Sequence, residues 1–154
     1  MRLNYFELID QVIELSTIDE ELAVNASVPR ESTIFDGHFP GHPLMPGVLL
    51  IESMAQASGY LILALNKFKQ MPFLASVKEA KLRSFVLPGS DLIVKSSREH
   101  NGSGYAVTRA SVKCDGRTIC NAQLVFRLMP FPVQELEKYV RERAIKSGIM
   151  KDWD

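Results

Sequence analysis

Two polar side chains stand where acid–base chemistry needs them. His38 lies in a loop, Asp36-Gly37-His38-Phe39-Pro40-Gly41-His42-Pro43-Leu44-Met45-Pro46-Gly47, and Glu52 and Gln56 follow in the early turns of a long apolar run. A carboxylate inside an apolar helix is costly to bury and needs a compensating reason. Proton transfer supplies one. An imidazole's ordinary pKa of about 6.5 leaves it mostly neutral at pH 7 and able to accept a proton, and Pro40, Gly41 and Pro43 restrict the loop that carries it. Burial among Leu49, Ile51 and Ala55 would favour the protonated form of Glu52, making it the acid to His38's base. Between the two, Pro46-Gly47-Val48 opens the helix. The unpaired N–H groups of a helix start, at the positive end of its dipole, point at whatever carbonyl or anion lies there. Gly47 lacks a side chain and so permits close approach. Gln56 lies one turn after Glu52 on the same face, placed to orient its carboxyl.

Plainer roles exist for each. A loop histidine beside prolines is often only hydrogen-bonded, and a helix carboxylate can be satisfied by backbone amides. Gly47 can simply turn the chain, and Gln56 can serve a subunit contact. His42 reads as structural or exposed, and His100, beside Asn101-Gly102, as solvent-facing.

These residues need elements to hold them. Residues 48–65 form an apolar stretch close to membrane-spanning length. Glu52, Ser53, Gln56 and Ser58 within it would be expensive in lipid, so a buried core helix is expected. Residues 21–28 and 32–35 read as strands, as do the β-branched and aromatic-rich runs 73–82, 91–100, 105–114 and 118–128. Pro88-Gly89, Asn101-Gly102-Ser103-Gly104 and Asp115-Gly116 separate the last four runs and mark antiparallel hairpins. One long helix followed by a meander implies an α+β fold, a curved antiparallel sheet wrapped around that helix. At the ends, Leu3, Phe6, Leu8, Ile9, Ile13 and Leu15 suggest a short amphipathic helix. A second helix is expected over 132–146, with Val133, Leu136 and Val140 on one face, Pro132 in its first turn and Ser147-Gly148 as its stop.

At 154 residues and 46% hydrophobic, the chain suits one domain spanning 1–154, with a core of about 20–128 and a C-terminal helical extension of about 132–148. The net charge of zero removes any global electrostatic attraction to nucleic acid or an anionic membrane. Local basic clusters remain at Lys78, Lys81 and Arg83 and at Lys138, Arg141 and Lys146, readable as docking faces or as an ordinary solvated strand end and helix face. Two cysteines, Cys114 and Cys120, flank the Asp115-Gly116 turn; they are too few for a disulfide framework or a zinc site and read as free thiols. The first residues lack the apolar core of a signal peptide, so a cytoplasmic protein is expected.

Together, His38-Phe39-Pro40-Gly41, Pro43, Met45-Pro46-Gly47-Val48-Leu49, Glu52 and Met54-Ala55-Gln56-Ala57 resemble the signature of the FabZ-type (3R)-hydroxyacyl-[acyl-carrier-protein] dehydratases. Val77-Lys78-Glu79-Ala80-Lys81-Leu82-Arg83 and Leu87-Pro88-Gly89-Ser90-Asp91 are similar as well, so the resemblance covers roughly 20–128. It implies a hotdog fold, and dehydration of a 3-hydroxyacyl thioester to the trans-2-enoyl product in fatty-acid or specialised lipid synthesis, without a metal or other cofactor. His38 would be the base and Glu52 the acid, with Gly47, Val48, Gln56 and Phe39 binding substrate. The substrate would arrive on an acyl carrier protein, docked by Lys78, Lys81 and Arg83. The enzyme would work as a homodimer or a trimer of dimers, each site joining His from one chain to Glu from another. The alternatives are a hotdog thioesterase, which needs no histidine loop, and a non-catalytic acyl-binding module, which needs neither His38 nor Glu52. A dehydratase-isomerase would carry Asp in place of Glu52. The helix over 132–146 lies beyond the core the family would supply.

Overall fold

In the computed structural model, which describes residues 1–151, the apolar run forms α2 (Gly47–Leu65) and the hairpin-punctuated half of the chain forms the sheet. The strands are β1 (Val12–Ser16), β2 (Glu21–Ser27), β3 (Met71–Leu82), β4 (Asp91–Gly102), β5 (Tyr105–Cys114) and β6 (Arg117–Met129). They form one antiparallel sheet in the order β1-β2-β4-β5-β6-β3, so β1 and β3 are its edges. Alternate residues of β4, β5 and β6, among them Leu92, Val94, Ala110, Val112, Ala122 and Leu124, point to one face and are buried there. Against that face lies α2, in contact with β2 to β6.

Helix α2 is buried on several sides, through Leu50, Met54, Ala57, Leu61 and Ile62. It is long and apolar enough to cross a membrane by length and composition, but here the sheet curls around it as a core helix. Its buried hydroxyls are satisfied. Ser53 donates to the Leu49 carbonyl at 2.9 Å, while Ser58 meets Ser96 at 2.8 Å and receives Thr108 at 2.9 Å. That triad ties the helix to β4 and β5.

Three local expectations are corrected. The N-terminal segment forms a single 3-10 turn (Leu3–Tyr5) followed by β1, not an amphipathic helix. Pairing Val12–Ser16 with β2 gives these residues backbone partners that outweigh the helical spacing of their apolar side chains. Residues 32–35 do not form a strand: Thr33–Gly37 is the short helix α1, capped by the Ser32 hydroxyl, which accepts from the Ile34 N–H at 3.3 Å. At the other end, α3 (Gln134–Lys146) is present, but Val133 is its N-cap, so Pro132 stands just outside its first turn; Ser147 caps the helix and Gly148 follows at φ 78°. Both cysteines are free, Cys120 buried opposite Val112 and Cys114 opposite Arg117.

Candidate active site

His38 sits at the end of α1, and its loop is pinned by backbone hydrogen bonds. Phe39 and His42 exchange bonds of 3.0 and 2.8 Å, Leu44 donates to the His38 carbonyl at 2.9 Å, and Met45 donates to the Val86 carbonyl at 2.8 Å. The imidazole is pinned as well. Its Nδ1 lies 2.9 Å from the Leu44 carbonyl. A carbonyl only accepts, so in the neutral ring Nδ1 carries the hydrogen and Nε2 keeps its lone pair. The Phe39 ring stacks on the imidazole with centroids 4.0 Å apart. Phe39 therefore supports the imidazole as well as lining the cavity.

That cavity, about 590 Å³ and open to solvent, is lined by His38, Phe39, Gly47, Leu82, Arg83 and Phe85, among others. Gly47 is the first residue of α2, so its N–H has no partner within the helix. A Cβ on Gly47 would come within 2.5 Å of the Leu82 side chain, and the absence of that atom lets Leu82 lie over the helix start. Val48 is 69% exposed and does not line this cavity. Of the two residues at the helix start, Gly47 lines the His38 cavity and Val48 does not.

Glu52 belongs to a different cavity of about 240 Å³. A single chain does not bring His38 and Glu52 to one cavity. Glu52 is half-buried, and its Oε1 accepts from Gln56 at 3.1 Å. Gln56 has all its polar atoms engaged: its second Nε2 bond runs to the Phe6 carbonyl at 2.6 Å, and its Oε1 accepts from the Leu8 N–H at 3.0 Å. The amide orients Glu52, as its spacing suggested, and also fastens the N-terminal segment to α2. One turn further, Tyr60 lines the same cavity beside Arg143, which pairs with Glu7 at 3.3 Å. Burial pushes the Tyr60 phenol up to about 12, with the Arg143 guanidinium pulling the other way, so the hydroxyl is neutral at physiological pH. The spacing 52, 56, 60 was visible in the sequence as polar residues one turn apart. Glu7 and Arg143 carried no such signal.

The basic residues divide. Lys78 and Lys81 are exposed on edge strand β3 across a bulge, with Glu79 between them at φ 52°, and only Arg83 lines the His38 cavity. In the second cluster two of the three cations are paired with carboxylates. Lys138 pairs with Glu142 at 3.9 Å, and Arg141 pairs with Glu137 at 3.0 Å while lying over the Phe68 ring. His42 and His100 are exposed, as expected, and His100 meets the Tyr105 hydroxyl at 3.0 Å.

A curved antiparallel sheet around a helix that carries a carboxylate in its second turn, preceded by a pinned histidine loop, defines a hotdog protein. The model of the FabA-like domain matches residues 2–123. A FabZ 3-hydroxyacyl-[acyl-carrier-protein] dehydratase from Clostridium botulinum is 38% identical over 128 residues, covering 80% of this chain and 88% of the relative. One from Latilactobacillus sakei is 37% identical over 120 residues, covering 77% and 85%. Among solved structures, the dehydratase heterocomplex ApeI:P of Xenorhabdus doucetiae aligns with a TM-score of 0.64 at 17% identity, over 87% of this chain and 90% of that one. A hypothetical thioesterase from Streptococcus pneumoniae aligns with a TM-score of 0.62 at 15% identity, over 78% and 85%. The chain belongs to the FabA-like family, among its FabZ dehydratases.

Proposed function

We propose that this protein dehydrates (3R)-hydroxyacyl thioesters carried on acyl carrier protein. The observation that carries the reading is the His38–Leu44 bond, which leaves Nε2 as a bare base on a residue that lines the same cavity as Gly47. The thioester carbonyl sits at Gly47, and Nε2 removes the proton from C2. Charge developing on the carbonyl oxygen is stabilised by that N–H. Protonated Glu52 gives its proton to the hydroxyl on C3, the C–O bond breaks, and water leaves with the trans-2 double bond formed. Imidazolium and carboxylate remain and are reset by return of the proton.

The two groups line separate cavities, which supports a site completed by a second copy. Edge strand β3 is open and carries Leu74 at 41%, Val77 at 39% and Leu82 at 52% exposure, with Phe85 beyond it at 83%. An open apolar edge is a liability unless covered, and a homodimer through β3 covers it. The paired site then joins His38 of one chain to Glu52 of the other, with trimers of dimers a further assembly. Arg83 at the cavity mouth, with Lys81 and Lys78 along the edge, receives the acidic carrier. Such a protein works in the cytoplasm.

The test is incubation with 3-hydroxyacyl carrier protein, read by mass spectrometry. Loss of water is expected; release of free thiol would replace this reading with a thioesterase. Refolding inactive His38→Ala together with inactive Glu52→Gln should restore part of the activity. No recovery after verified subunit exchange would refute the shared site.

A further inference from the structure

The cavity that holds Glu52 ends against α3, a helix that begins at Gln134 and so lies outside the matched residues 2–123. Along α2 the groove runs from Glu52 past Ala55 and Gly59 to Leu63, a rise of about 16 Å. The wall opposite the helix is apolar, made by Met71, Pro72, Leu74 and Phe126. Leu136, Tyr139 and Val140 of α3 close the far side. The lining also carries a polar cluster, Tyr60 beside Arg143 and Arg143 paired with Glu7, both ionic side chains only 12% exposed. A hydrocarbon tail gains by following the apolar wall and gains nothing by displacing a shielded ion pair, so its room ends at the α3 side chains.

We propose that α3 is the tail wall of the acyl groove and sets an upper limit on the acyl chain length this protein accepts. The inference rests on the dehydratase reading for the identity of the occupant. The continuity of the groove with Glu52 and its apolar lining point to an alkyl tail. Two side chains tune it in opposite directions. Tyr139 is 49% exposed, so its truncation opens the wall without emptying the core. Gly59 faces the groove, and a Cβ there meets only Pro72, at 3.8 Å, so a larger side chain projects into the space without a backbone clash.

The experiment measures calorimetric affinity for non-reactive acyl-pantetheine amides of four, eight and twelve carbons, alongside kcat/KM for dehydration of the matching 3-hydroxyacyl thioesters. Tyr139→Ala should raise the ratio of twelve- to four-carbon affinity about tenfold, and Gly59→Leu should lower it by about as much. Ratios within about twofold of the parent in both folded variants, or no binding at any length, overturn the proposal. Affinity ratios that move while no thioester loses water uphold the groove and refute the dehydratase reading. Dehydration with unmoved ratios refutes the groove alone.

Discussion

The two ends of the proposed site are built differently. The His38 end is local: residues 36–47 are contiguous, their loop is fixed by backbone bonds among neighbours and to Val86, and the imidazole is oriented by a carbonyl six residues away. The Glu52 end is assembled from three distant parts of the chain, with Phe6, Glu7 and Leu8, α2, and Arg143 converging around Gln56 and Tyr60. Chemistry that must be reproduced is held by short-range constraint, and the space around it is held by long-range packing. Changes at His38 or Glu52 should therefore reach the rate directly, while changes to the groups packed around Glu52 should act through stability and fit.

The largest effect tests whether the two ends form one catalytic unit. His38→Ala and Glu52→Gln are each expected to lower the dehydration rate about 10²- to 10⁴-fold with the fold intact, and the double variant to lose little more. Near-parental turnover in either folded single variant would separate them.

Next is the non-local end under alkali. Folding favours the neutral phenol of Tyr60, pushed up to about 12 chiefly by burial against an ordinary value of 10. The unfolded chain therefore gives up that proton first, so stability present below pH 10 is lost as pH rises toward 12. Across that window Tyr60's share of the loss approaches about 2 to 3 kcal/mol. Urea unfolding of Tyr60→Phe should lack this component; identical alkaline slopes would show that Tyr60 does not carry the shift.

Gln56→Ala sharpens the contrast at smaller scale. It removes the bonds to Glu52, Phe6 and Leu8 and strips the Leu8 N–H of its acceptor. A cost of about 1 to 2 kcal/mol is expected, with faster amide exchange at Leu8 and none at Leu44. Equal loosening of both segments would mean that the two ends are one cooperative unit.

The smallest effect is at the surface. Charge reversal of Lys81 and Arg83 should raise KM for carrier-bound substrate about three- to tenfold at low salt and fade as the Debye length shrinks to about 8 Å at physiological ionic strength. A coenzyme A thioester should be much less affected. Equal loss on both substrates would assign these residues to the cavity and not to docking.

Most of the architecture could be read from side-chain pattern. The boundaries of β5 and the extents of β4, β6 and α2 follow alternation and turn chemistry closely, because Ser103-Gly104 and Asp115-Gly116 turn the chain; β4 runs two residues further than expected, through Asn101-Gly102. The short elements were misread where local signals compete. Ser32 caps a helix that five residues could not announce by periodicity, and Val12–Ser16 became a strand because β2 offered a partner.

The sequence by itself singled out the groups proposed to act, since His38, Gly47, Glu52 and Gln56 lie within nineteen consecutive residues whose spacing follows helix and loop geometry. Only the tertiary structure decided that His38 and Glu52 face different cavities of one chain, that Gln56 anchors the N-terminal segment, and that Arg143 and Glu7 meet beside Tyr60. The physical reason is distance along the chain. Backbone constraint carries orientation over a few residues, whereas a contact such as Glu7 with Arg143 exists only because the sheet and α2 bring both ends of the chain to the same face of the helix.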